Sequence, residues 1–486
     1  MLTRAEASQF RRTSTHDEVL RFVDDLQRTR PGFRVESMGK SAEGREMPVL
    51  VFGGGPAVVL VLANIHAGEV EGKEAVLALA RDLPDAAYDG LTVLWVPDYN
   101  PDGNDRIDVR NRALDLAKLD GQIGPEGGVG TRYTGAGINL NRDYIKQEAV
   151  ESRHLSRLFA KWNPHLTVDC HTTDGSIHGF ALTYDTGHIP NPPCEWIRTA
   201  ALPEVSRRLQ ARAGLKTFFY GNFVDEKDLA KGWATYSHLP RYGSHYRGLR
   251  GRMDILLEAY SYIPFRERFV VTTEILKDIL GVARENAADI VRRCDETARS
   301  WRPDPVGIQY GPPERSGECE IAAWDLDSQL ARRIPGRVST TYRVPHFAGF
   351  RPSKTVPRPA GYLVPFDQRE VVQNLRTHGI VMEELSKAGE MDVEVHRIDR
   401  LSSAESPDHG TGPRRETVIE GRRMSTRLRA EKGDVLVRTD QPLGTLACYL
   451  LEAESDDGLG RWGLLDASLR TGGSYPIARV PRILSI

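Results

Sequence analysis

The chain has 486 residues, 40% of them hydrophobic and 27% charged, with a formal net charge of −2. This is a globular composition; it excludes a disordered chain, a coiled coil and a collagen-like repeat, and its near-neutral balance gives no electrostatic reason to expect nucleic acid. The length predicts two domains, because a single core seldom grows past roughly 250–300 residues, and the longest apolar run, Ala57–Ala63, is far shorter than the ~20 residues of a membrane span.

In chain order, Val19, Leu20, Phe22, Val23 and Leu26 share one side of an amphipathic helix over about Thr15–Arg28. Two apolar strands follow, Pro48–Phe52 and Ala57–Ala63, separated by the turn signal Gly53-Gly54-Gly55-Pro56. The second run is continuous, which predicts a strand covered on both faces. Val70–Leu83 has helical spacing, and Leu91–Val96 is another short buried strand. An irregular, Gly-rich tract then runs from Pro97 to Asn139. Beyond it, Leu155–Trp162 and Cys194–Ala213 read as helices, and Leu166–Cys170, Lys216–Tyr220 and Ile255–Tyr260 as strands. A long helical run over Glu267–Thr297 closes the unit. Strands alternating with helices predict a doubly wound α/β sheet, with the ligand at the carboxyl ends of the strands.

The prolines at 303, 305, 312 and 313 mark a break. Residues 1–302 are therefore expected to form the catalytic domain and 318–486 a smaller β-rich domain. Within the latter, Arg369–His378 reads as a helix, Met424–Leu451 as strands and turns, and Ser402–Arg415 as an exposed polar loop. The five Cys show no CxxC spacing, which argues against a zinc knuckle or a thioredoxin motif. The start, MLTRAEASQFRRTS, has no apolar core, so no secretory signal is expected in the chain as given. Localisation stays open: cytoplasmic as read, periplasmic or secreted where a signal has been removed.

The chemistry is expected just past the strands. His66 and Glu69 follow the strand at Ala57–Ala63. A His and a carboxylate three residues apart in a strand-to-helix turn can grip one metal; in isolation, a surface or N-cap pair fits the same string. His171 follows the run Leu166–Cys170 and offers a third donor, or a buried structural His. Asp169 shares its strand face, as a carboxylate able to orient a metal-bound imidazole. Two His and one Glu with an open position form a catalytic rather than a structural zinc set. Glu258 ends the run Ile255–Leu257, where burial would raise its pKa toward that of a general base; a strand-end salt bridge to Arg250 or Arg252 is the other reading. Asn141 and Arg142 stand side by side, an arrangement suited to holding a carboxylate, and Arg132 is an oxyanion-donor candidate. Arg is abundant here, so each single Arg counts for little.

In order, these strings are His66/Glu69, Asn100-Pro101-Asp102-Gly103, Leu140-Asn141-Arg142, His171 and Glu258. Together they resemble the zinc carboxypeptidase (funnelin) family over about residues 10–300, and the C-terminal region resembles the tail of a bacterial branch of it. The resemblance implies a mixed doubly wound sheet and one Zn2+ per chain bound by His66, Glu69 and His171. It implies Glu258 as general base, Asn141 and Arg142 on the substrate's terminal carboxylate, and Arg132 on the oxyanion. The implied partner is a peptide, or an acylated amino acid, with a free carboxylate. Pancreatic-type members carry Arg where this chain has Gly68, and Asp where it has Asn139, which leaves the partner of His66 open. For the family's substrate-capping Tyr, Tyr236, Tyr242 and Tyr246 all precede Glu258, and Tyr246 sits in the most motif-like string. His178, Asp185, Arg252 and Asp254 fall in the stretch expected to set side-chain preference. An N-acyl amino-acid deacylase or a peptidoglycan-fragment amidase would use the same site, and a binding module with a dead site is the non-enzymatic reading.

Overall fold

The computed structural model describes residues 1–323, 340–406, 410–412 and 414–482. Its centre is an eight-stranded mixed sheet. The strands are β1 (Arg34–Lys40), β2 (Glu46–Gly53), β3 (Ala57–Ala63), β4 (Leu91–Val96), β5 (Leu166–Thr173), β6 (Leu182–Asp185), β7 (Thr217–Phe219) and β8 (Met253–Tyr260). They lie in the order β1-β2-β4-β3-β5-β8-β6-β7. The inner strands β4, β3, β5 and β8 run parallel, while β1–β2, β2–β4 and β8–β6 pair antiparallel.

The apolar run of β3 explains its central place. Leu60 and Leu62 point into one hydrophobic cluster, and Val59, Val61 and Ala63 into the other. Period-two alternation with both faces apolar is what a strand sandwiched between two layers requires. One face is covered by helices that include His16–Thr29, Glu71–Asp82 and Phe265–Glu285. The other is covered by Val150–Trp162 together with residues of the C-terminal region. That second cluster is continuous: it joins Val49, Leu60 and Tyr246 to Val306, Tyr362 and Leu450.

Several elements differ from the sequence reading. The run expected as one helix over Glu267–Thr297 is two, Phe265–Glu285 and Ala287–Ser300. Asn286 leaves helical geometry between them, and its side-chain amide donates to Val282 O at 2.8 Å. Helical structure from Pro192 to Ala213 includes a wider π turn at Ile197–Ala201. Of the stretch 402–415, expected as an exposed polar loop, residues 407–409 and 413 lie outside the described residues, and both flanks are strand. Residues 402–406 end the strand Gly389–Ser406, which pairs with Arg414–Ala430 in a long hairpin. The end of the stretch expected as strands and turns is the helix Gly444–Leu451, whose eight residues are all buried.

Candidate metal centre

The strand ends bring the predicted donors together. After β3 the chain turns through Asn64, held at φ +64°. Its side-chain amide donates to Asp98 Oδ1 (2.6 Å) and Asn104 Oδ1 (3.1 Å), which stabilises this strained conformation. The turn continues through a Glu69 N–H to His66 O bond of 2.9 Å. Asn100, of the Asn-Pro-Asp-Gly string, caps the short helix Pro101–Asn104, and its amide reaches Ile65 O and Arg132 O, both at 3.4 Å. It thereby ties the His66 turn to the Arg132 loop. In the sheet, His171 of β5 and Glu258 of β8 are direct cross-strand partners.

His66 Nδ1 lies 3.0 Å from Glu69 Oε1, and His171 Nδ1 lies 3.1 Å from Glu69 Oε2. One ligand atom from each of the three residues falls within 4.8 Å of the others, and all three side chains are buried. His66 Nε2 meets Asn139 Oδ1 at 3.1 Å, and His171 Nε2 lies 3.2 Å from Asp169 Oδ1. Both imidazoles therefore turn Nδ1 toward Glu69, and Asn139 Oδ1 holds the far nitrogen of His66. This donor set fits a zinc ion with an open coordination position. The partner of His66 left open by the sequence is Asn139, whose Oδ1 also accepts the Asn141 N–H at 3.0 Å.

Charge in this pocket is set by burial and close neighbours. Burial, reinforced by Arg132, pushes the His66 pKa down to about 4, so the ring is neutral and free to donate a lone pair. Burial opposes the charge on Glu69, but His66, His171 and Arg112 outweigh it and hold its carboxyl well below the usual range. Burial likewise opposes ionisation of Asp169, yet His171 and Arg247 bring it down to about 2. Glu258 goes the other way: burial, with help from Glu69, pushes its pKa up to about 8. A carboxyl raised into this range is poised for proton transfer.

A cavity of about 310 Å³ opens over these groups. His66, Glu69, His171, Glu258, Arg132, Asn141 and Arg142 all line it. Arg132 Nη1 lies 3.5 Å from Glu69 Oε1. The Arg142 guanidinium stacks on the Tyr242 ring, 4.2 Å from its centroid. Tyr246 does not join them. It sits in the helix Gly243–Leu249 on the side facing the C-terminal region, fully buried, with its hydroxyl against His378 Nδ1 (2.8 Å) and Arg250 Nη1 (3.2 Å). The tyrosines on the cavity wall are Tyr220, Tyr236 and Tyr242. His178, Asp185, Arg252 and Asp254 also lie off the wall. Asp185 is occupied by His188 and Arg198, and Asp254 by Arg247.

Two arginines were not singled out in the sequence. Arg112, from the irregular tract, places Nη1 3.2 Å from Glu69 Oε1 and its other nitrogens on Gln122, Thr172 and Ser261. It fills the space beside Gly68, where a Cβ would stand 2.7 Å from Arg112 Cδ. Arg247 is buried beneath the site and joins Asp169 Oδ2 (2.9 Å), Tyr144 Oη (2.9 Å) and Asp254. Nothing in their local sequence separates them from the many other arginines; only tertiary contacts do.

Residues 19–189 match the sequence model of the zinc carboxypeptidase family, a span that contains all three donors and stops before Glu258. Carboxypeptidase 2 of Trichophyton tonsurans is 23% identical over 484 residues, covering 91% of this chain and 81% of that protein. Carboxypeptidase 2 of Trichophyton rubrum is 22% identical over 519 residues, covering 96% and 86%. A crystal structure of a metallo-carboxypeptidase from Burkholderia cenocepacia gives a TM-score of 0.41 at 17% identity, covering 55% of this chain and 69% of that one. The zinc carboxypeptidase resemblance carried by the motif order thus stands on the family match, and the two fungal alignments run on through the C-terminal region. Among the described residues, no helix is long and apolar enough to cross a membrane.

Proposed function

We propose that this chain is a zinc-dependent carboxypeptidase that removes the C-terminal residue of a peptide. The observation that carries the reading is the meeting of a His-Glu-His donor set with Glu258, Asn141 and Arg142 on the wall of one cavity. When bound, zinc would polarise the scissile carbonyl and acidify a water molecule.

The protein's residues supply the rest. Glu258, half-buried on the cavity wall beside the donors, takes the proton of the attacking water and returns it to the leaving amine. Arg132 presents a guanidinium toward the position where negative charge develops on the carbonyl oxygen. Arg142 and Asn141 hold the free carboxylate of the terminal residue, a charged fork beside an amide. Arg112 keeps Glu69 ionised and oriented.

The test compares peptides with free and amidated C-termini. Loss of a charge-assisted pair costs about 1.5–3 kcal/mol, so amidation should lower kcat/KM by at least ~10-fold. Arg142→Ala should erase the difference. A variant that still prefers the free acid would place carboxylate recognition elsewhere. Release of acyl groups from N-acyl amino acids, with no cleavage of peptides, would favour a deacylase instead.

A further inference from the structure

The segment from Tyr236 to Ser244 has two working sides. Toward the cavity it presents Tyr236, Tyr242, Gly243 and Ser244. Gly243 N–H donates to Asn141 Oδ1 at 3.0 Å, and the Tyr242 ring lies against the Arg142 guanidinium. Each residue proposed to grip the substrate carboxylate is thus held by this strap.

Its other side docks on the C-terminal region. Arg241 is only 6% exposed. Its backbone N–H donates to Asp457 Oδ2 (2.6 Å), and its Nε to Asp457 Oδ1 (2.9 Å). Its Nη1 donates to Glu416 Oε1 (2.7 Å) and Ser406 Oγ (2.9 Å), and Nη2 lies 2.8 Å from Asp457 Oδ1. The guanidinium also stacks 4.4 Å above the Trp462 ring. Close by, His238 Nε2 meets Asp456 Oδ2 at 2.9 Å. A second contact reaches the same edge of the site: Gly410 bridges Ile138, and Thr411 N–H donates to Gly137 O at 3.0 Å, next to Asn139.

A buried guanidinium is tolerated only where acceptors meet its donors, and a planar fork fixes both position and direction. Ser406, Glu416 and Asp457 leave Arg241 one placement. Tyr242 and Gly243 follow it in the chain, so their positions are set from the C-terminal region. We infer that this region is a working part of the substrate site. Asp457 and Glu416 act through Arg241 as positioning residues for the Tyr242–Gly243 edge, and through it for Asn141 and Arg142. The inference rests on the carboxypeptidase reading and assigns the C-terminal region a role within it.

The test uses the full-length, zinc-loaded protein and Asp457→Asn, which keeps an acceptor and removes the charge. Loosening the charge-assisted grip on the terminal carboxylate removes binding common to ground and transition states, so KM for a free-acid peptide should rise ~10-fold or more, with kcat changing far less. The preference for free acid over amide should shrink in proportion, and bound zinc should stay at one equivalent. Where Asp457→Asn is not recovered folded, Glu416→Gln removes a different acceptor of the same guanidinium, and its KM must rise too. A folded variant with lowered thermal stability but unchanged KM and unchanged free-acid preference overturns the inference, since a merely structural contact would behave that way. Wild-type protein that fails to cut free-acid peptides would instead refute the carboxypeptidase reading itself.

Discussion

Asn139→Ala is the substitution whose consequences the structure fixes most tightly. One oxygen, Asn139 Oδ1, accepts from His66 Nε2 at 3.1 Å and from the Asn141 N–H at 3.0 Å. It therefore couples the metal donors to the carboxylate grip. Alanine removes both bonds, and the His66 ring loses the contact that aims Nδ1 at the metal point. Loss of such an outer partner costs about 10–100-fold in metal affinity. That is about 1.4–2.7 kcal/mol, in line with one or two hydrogen bonds of about 0.5–1.5 kcal/mol each. Asn139→Asp keeps the acceptor and adds charge, so its affinity should equal or exceed that of wild type. The assay is competition for zinc against a chelator of known affinity, on wild type, Asn139→Ala and Asn139→Asp. KM for a free-acid peptide should also rise in Asn139→Ala, because the Asn141 backbone is released. Wild-type zinc affinity in Asn139→Ala would refute the assignment of Asn139 as the partner of His66.

Glu258→Gln should keep one equivalent of zinc while turnover falls by about 10²–10⁴-fold; steady-state rates with metal analysis decide it, and an unchanged rate removes Glu258 from the reaction. His378 is buried, and burial pushes its pKa from 6.5 down to about 3. The unfolded chain therefore takes up a proton below about pH 6.5 that the native state refuses. This contribution to stability is intact above that value and is lost as pH falls toward 3, amounting to about 2 kcal/mol by pH 5. Denaturant titrations at pH 7 and 5 should show this loss reduced in His378→Gln, and an equal loss in both proteins would place the acid sensitivity elsewhere.

The chemistry of the site was legible where it sat on strands. The uninterrupted apolar run of Ala57–Ala63 admits one reading, a strand covered on both sides, and the structure gives those bounds. His66, His171 and Glu258 follow or end such runs, so their convergence followed from sheet topology. What stayed hidden depended on contacts far apart in sequence. Strand β1, RVESMGK, lies at the sheet edge and fully buries only Met38, so it carries no apolar pattern. The helix Gly444–Leu451 is buried all round, which erases the 3.6-residue period that would mark it. The flanks 402–406 and 414–415 pair as strands, yet the strand Arg414–Ala430 is a largely exposed sheet edge, so no apolar alternation marks them. Tyr246 drew notice for its neighbours in sequence, yet the helix from Gly243 turns it inward and leaves Tyr242, four residues earlier, on the cavity wall.

The most direct test is the zinc content of His171→Ala beside wild type, measured after loading and exhaustive dialysis, with circular dichroism on the same samples. His171 is one of three donors that meet at a single point, so the variant should hold far less than one equivalent while wild type holds one, with the α/β signal unchanged. A folded His171→Ala protein that retains a full equivalent of zinc would contradict the metal centre, and with it the catalytic account built on it.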